Sequence, residues 1–166
     1  MIDFFHKGAS MTKKVTGIAR LKGLPAVRPR PVRKISRVGT FFDEEDAVTS
    51  ILLEVADTDE SRRRGLMGRE EMPYICGMLF ESLSRGGHFW MKGCRIPLDI
   101  AFMTSDGLIT KVYSMPIDED GELRYEYGDK DTSAVEVNMG FLEKWGIGPG
   151  FRLKTRELAK KENDNG

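Results

Sequence analysis

From residue 48 onward, short apolar stretches alternate with clusters of Gly, Pro, Ser and Asp, a rhythm that predicts strands and turns rather than long helices. The first stretch, 48–55 (VTSILLEV), is rich in β-branched and aliphatic residues and reads as a strand. A short helix follows. Asp57 stands at its cap position, Glu60 three residues on can complete a capping-box-like pair, and Gly65 suits the residue after the last turn. Residues 76–80, 88–92, 98–103 and 108–115 are the next strands. Ser105-Asp106-Gly107 makes a hairpin turn, since Gly accepts positive φ without steric cost. Residues 123–127 and 133–138 add two more strands, 141–145 forms a turn or two of helix stopped by Gly146, and 151–155 closes the set. There is no internal repeat and no alternation of strands with long helices. The expected architecture is mainly β, a compact antiparallel β-barrel or sandwich with two short helices and an extended N-terminal arm.

At 166 residues, 40% hydrophobic and 31% charged, the chain has the size and balance of one soluble globular domain. No run approaches the about 18 apolar residues of a membrane span, and Asp3, His6 and Lys7 interrupt any signal-like start. The expectation is no membrane crossing, no secretion signal, and a place in the cytoplasm or in a particle assembled there. Cys76 and Cys94 fit no zinc or redox spacing. They are read as small hydrophobes filling core space, with a bridge between them left open.

Formal charge is zero overall, but it is unevenly placed. Residues 1–39 carry ten Lys or Arg against one acid, Asp3, a net of +9, and the remainder carries −9. Within 24–38 (LPAVRPRPVRKISRV) three prolines fix φ and rule out a helix. The chain therefore divides into a basic Pro- and Arg-rich arm (1–42), a β domain (43–155) and a polar tail (156–166) expected to fray. A cationic arm on an acidic body suits docking onto something anionic through Arg28, Arg30, Arg33, Lys34 and Arg37: an acidic protein partner, neighbouring copies, or nucleic acid. A solvated tail is the alternative.

Candidate chemistry concentrates in 88–103. Along His88-Phe89-Trp90-Met91-Lys92 the two-residue period puts Phe89 and Met91 inward and His88, Trp90 and Lys92 outward. The outward face offers an aromatic plate, an imidazole and a cation, suited to a flat polar or anionic ligand. The competing reading makes Trp90 core or barrel-end packing and Lys92 the partner of Asp99, and large aromatics in small β domains favour it. Asp99 lies inside the apolar strand 98–103, where a carboxylate needs a cation or several donors; Lys92, Arg95 and Arg69 are the available cations. A structural ion pair and a catalytic carboxylate are equally compatible with that placement. Metal binding has little support: Cys76, His88 and Cys94 lack a fourth ligand at a customary spacing. Residues 118–122 lack the alternation of a calcium loop. No nucleophile elbow, phosphate loop, dinucleotide fingerprint or metalloprotease helix is present, and no cofactor is expected.

The segment FWMKGCRIPLDIAFM, with RRRGLMGRE and GMLF before it and VEVNMGFLEKWGIGPG after it, resembles domain of unknown function family 192. The resemblance covers roughly 48–153, omits the arm, and implies a small β-barrel of jelly-roll character. It also implies that Arg64, Gly65, Met67, Arg69, Gly77, Met78, Phe80, Trp90, Met91, Lys92, Pro97, Leu98 and Asp99 cluster, without assigning a reaction. The chain departs from the family pattern at Gly93-Cys94, where an amide and a hydroxyl residue are usual, and at Phe151, where an acidic residue is usual.

The leading expectation is a non-enzymatic interaction or structural module that the basic arm docks onto a larger assembly, such as a virion component or particle decoration protein. The runner-up is a binder of a carbohydrate or anionic metabolite using Arg69, His88, Trp90, Lys92 and Asp99. A third is weak, sequence-independent nucleic-acid contact through the arm.

Overall fold

The structure, a computed structural model, describes residues 35–158. Nine strands and two short helices follow in order: β1 (Arg37–Asp43), β2 (Asp46–Ala56), α1 (Asp59–Arg64), β3 (Cys76–Phe80), β4 (Gly87–Phe89), β5 (Leu98–Met103), β6 (Ile109–Met115), β7 (Tyr125–Tyr127), β8 (Ser133–Asn138), α2 (Phe141–Lys144) and β9 (Arg152–Glu157). Seven strands form one sheet in the order β6-β5-β8-β3-β2-β1-β9, and β4 pairs with β7 in a small ribbon. The fold is mainly β and sandwich-like. The β6 and β9 edges touch through one bridge, Leu108 to Arg152, but no continuous ladder closes the sheet into a barrel. Nor is the sheet wholly antiparallel, because the connection through α1 returns β3 alongside β2 in parallel register.

Each face of the sheet carries its own core. On one face Met78, Phe80, Leu98, Ile100, Phe102 and Met115 pack under Leu66, Met72, Met91, Ile96 and the β4–β7 ribbon. On the other, Phe41, Ile51, Leu53, Val135, Val137 and Leu153 pack with Phe141, Leu142 and Ile147 around α2. The period-2 geometry of strands explains the division. In β8, Ala134 and Glu136 belong to the first face and Val135 and Val137 to the second.

The helix cap sits one residue later than the sequence suggests. Thr58 Oγ1 accepts the Ser61 N–H at 3.1 Å and Ser61 Oγ accepts the Thr58 N–H at 2.9 Å, so Thr58 and Ser61, not Asp57 and Glu60, form the capping box. Gly65 ends the helix with φ of 43°. Gly107 holds the β5–β6 turn with φ of 81°, and a Cβ there would stand 2.3 Å from the Leu153 carbonyl oxygen.

The folded domain begins earlier than residue 43. β1 lies between β2 and β9, registered Phe41 to Thr49 and Phe41 to Leu153. Arg37, assigned above to partner docking, is a strand residue whose guanidinium pairs with the Glu81 carboxylate of the same domain. That intramolecular partner accounts for its charge. At the other end β9 continues through Glu157, so the first residues of the expected fraying tail are ladder-paired. Arg28, Arg30, Arg33 and Lys34 lie outside the described residues.

Candidate functional site

The β4 segment delivers the expected alternation. Met91 is fully buried and Phe89 packs on the core, while His88, Trp90 and Lys92 face outward. Regular strand pairing stops at Phe89. Trp90 is 42% exposed, which overturns its reading as core or barrel-end packing. His88 and Trp90 stack at an angle with centroids 5.7 Å apart, and the Arg124 guanidinium lies 5.4 Å from the Trp90 ring centroid.

These two side chains stand at a cavity of about 260 Å³ between the end of α1, the β4–β7 ribbon and the sheet. Phe80, Phe89, Trp90 and Tyr127 supply aromatic walls, and Arg62, Arg63 and Arg64 of the last helical turn supply cations. Arg62 is already engaged, bonding the carbonyls of Asp57 and Glu81 and the carboxylate of Asp59. Arg63 and Arg64 are exposed and have no acidic partner among the described residues. Gly65 shapes the wall, since a Cβ there would meet the Phe80 ring at 3.4 Å.

Glu136 also lines the cavity and is only 4% exposed. It comes from the centre of the sheet, where the register Glu54–Met78–Glu136–Ile100 runs across β2, β3, β8 and β5 on one face. Its Oε2 has no hydrogen-bond partner among the described residues. Burial without a donor disfavours the charged form and pushes its carboxyl up to about 8. Beside it, Cys94 is partly buried and its thiol is pushed up to about 12, first by burial and then by Glu136. At neutral pH Cys94 is therefore a thiol and a poor nucleophile. The carboxyl can donate or accept hydrogen bonds, and it can ionise when a cation arrives.

The other residues singled out from sequence do not join this site. Arg69 forks onto Glu54, Nη1 to Oε1 at 2.6 Å and Nη2 to Oε2 at 2.5 Å, with the carboxylate side chain 4% exposed. Arg95 pairs with Glu70, and Lys92 is exposed and outside the cavity lining. Asp99 points to the opposite face of the sheet. There it accepts the Ser114 hydroxyl at 2.8 Å and the backbone N–H groups of Gly140 at 2.8 Å and Leu142 at 3.2 Å, fastening the start of α2. Donors rather than a cation satisfy it, so none of the three proposed ion pairs forms. Cys76 and Cys94 are both free. Among the described residues no three His, Cys, Asp or Glu side chains gather as a metal site, and no helix is long and apolar enough to cross a membrane.

Glu136 is the residue sequence reasoning passed over. Its signal was an acid inside SAVEVN, the same pattern that drew attention to Asp99.

Fold and site together define a mainly β domain with a half-enclosed aromatic pocket over a buried carboxyl. The chain belongs to the DUF192 family, described as Uncharacterized ACR, whose model matches residues 41–155. Among solved structures it is similar to a Sinorhizobium meliloti protein provisionally described as a transcription regulator. That likeness has 29% identity and a TM-score of 0.65, over 72% of this chain and 92% of the other. It is also similar to a protein of unknown function from Novosphingobium aromaticivorans, with 27% identity and a TM-score of 0.62, over 84% and 98%. No curated protein matches the sequence.

Proposed function

We propose that this domain is a small-ligand binding module whose site is the cavity between α1, β4, β7 and β8. The observation that carries the reading is Glu136, a buried residue that lines an aromatic-walled cavity and whose Oε2 has no hydrogen-bond partner among the described residues. Folded proteins seldom leave a buried polar atom without a partner, and a ligand that supplies the missing bond is one explanation of such an atom at a cavity. Convergence of aromatic surface, one polar anchor and nearby cations is the usual composition of a small-molecule site. The titratable group beside Glu136 is the Cys94 thiol, which burial keeps protonated and unreactive, and this favours binding over catalysis. Ser84 is exposed at the cavity mouth, so Ser84→Trp blocks entry without entering the core. Thermal unfolding with a panel of sugars, organic acids, amines and amino acids should show stabilisation by at least one class in the wild type and none in S84W. No stabilisation by any class, or equal stabilisation of S84W, overturns the reading.

The +8 charge of residues 1–34, nine Lys or Arg against Asp3, supports a second role, docking of the domain onto an anionic protein assembly. Deleting residues 1–34 should abolish salt-sensitive association in a pull-down while leaving the melting temperature of the β domain unchanged. Association that survives the deletion removes this role.

A further inference from the structure

We infer that the pocket's ligand is a small zwitterion, its ammonium group seated on Glu136 among the aromatic rings and its anionic group at Arg63 and Arg64. This rests on the ligand-binding reading of the same cavity and adds the chemistry of the occupant.

Three observations select that class. A carboxyl without a protein donor is best answered by a group that brings both hydrogens and positive charge. An ammonium supplies three N–H donors and a full counter-charge that lets the carboxyl ionise, whereas a hydroxyl supplies one donor and no charge. The walls agree, because Phe80, Phe89, Trp90 and Tyr127 present π-systems, which attract cations once water is excluded. The cations that line the cavity, Arg62, Arg63 and Arg64, form no ion pair with Glu136, and Arg69 is held by Glu54 on β2, two strands away. Cys94, the other group beside the carboxyl, is a weak donor and brings no charge.

The cavity mouth selects the other end of the molecule. Arg63 and Arg64 would repel a simple cation on its way in, and they carry no carboxylate partner among the described residues. An anionic group on the ligand converts that repulsion into attraction. A molecule with an ammonium at one end and a carboxylate or phosphate at the other meets both ends of the site at once.

The test uses the full chain and isothermal titration with straight-chain ω-amino acids of increasing length. Alkylamines, alkanols and alkanoates of matching length serve as controls. The expected order is ω-amino acid tighter than alkylamine, with alkanol and alkanoate weakest. Glu136→Gln should weaken the amino acids and amines by roughly tenfold or more, the scale of one buried charge-assisted hydrogen bond. Replacing both Arg63 and Arg64 by Ala should bring the amino acid close to the amine, a loss of only a few fold because the arginines are solvated. The amine-against-alkanol comparison is made in the wild type, so it decides the matter even if a variant folds poorly. Alkanols that bind as tightly as amines, or amines that do not bind, overturn the zwitterion inference. If those alkanols lose binding in S84W, the pocket remains a ligand site with a different occupant; if nothing binds in either panel, both readings fall.

Discussion

Asp99 and Glu136 are both acids set in otherwise apolar central strands, on neighbouring β5 and β8, and both are nearly fully buried. They differ in what meets them. Asp99 faces the α2 side and accepts a hydroxyl and two backbone N–H groups. Glu136 faces the α1 side and leaves Oε2 without any donor among the described residues. One sequence signature thus covers two physical situations: a carboxylate that holds the fold together, and a carboxyl the fold holds open at some expense of stability. Glu54 stands with Asp99, since its burial is matched by the two-pronged Arg69 contact.

The largest expected effect tests the satisfied member. Asp99→Ala strands the backbone N–H groups of Gly140 and Leu142 at the start of α2, and should destabilise the domain by roughly 2–4 kcal/mol in urea unfolding. A loss below about 1 kcal/mol would place Asp99 with Glu136 and dissolve the contrast.

Glu136→Gln should act in the opposite direction at alkaline pH. The Glu136 carboxyl keeps its proton up to about pH 8 in the folded domain, against an ordinary value of 4.5. The folded state therefore binds more protons between those limits. Its contribution to stability is complete below pH 4.5 and is lost as pH rises through 8. Wild type should lose a few kcal/mol across that window, and Glu136→Gln should flatten the loss and be the more stable protein at pH 9. The groups lining the same cavity are Arg62, Arg63 and Arg64 from α1, His88 from β4, Tyr127 from β7, and Cys94. Comparing the variants in a His88→Gln background removes the imidazole from the measurement. Parallel pH curves for Glu and Gln would contradict the account.

Trp90→Ala sharpens the distinction between wall and core. At 42% exposure its removal should cost about 1 kcal/mol, not the ~3–5 kcal/mol of a buried aromatic, while reducing ligand-induced stabilisation. Arg37→Ala should have the smallest effect, under about 1 kcal/mol, because its pair with Glu81 is partly solvated.

Strands 76–80, 98–103 and 133–138 were legible to the residue because they are short, mostly apolar runs with clear turn residues nearby. β1 was not, for two local reasons. The β1–β2 hairpin turns on Glu44-Glu45, with Glu44 at φ of 52° and no Gly or Asn to mark it. Gly39 and the charges around it also break the apolar pattern, although Gly39 is where a Cβ would stand 2.7 Å from Leu53 Cδ1. At the site, alternation placed His88, Trp90, Phe89 and Met91 correctly, since that information is local. Partnerships were not legible. Arg69, Arg95 and Lys92 were all plausible mates for Asp99, and only the three-dimensional register shows that Arg69 meets Glu54 and that Asp99 belongs to α2. The exposed arginines of α1 and the empty surroundings of Glu136 arise from chain segments far apart in sequence, so neither could be read from spacing.

The most direct test of the central claim is a carbon-13 NMR titration of the Glu136 side-chain carboxyl, assigned by its disappearance in Glu136→Gln. In the unliganded domain it should titrate near pH 8, and a bound ω-amino acid should draw the midpoint down toward the ordinary carboxylate range. A midpoint near 4.5 without ligand would show that Glu136 already has its donors, and the pocket would lose the anchor on which its proposed function depends.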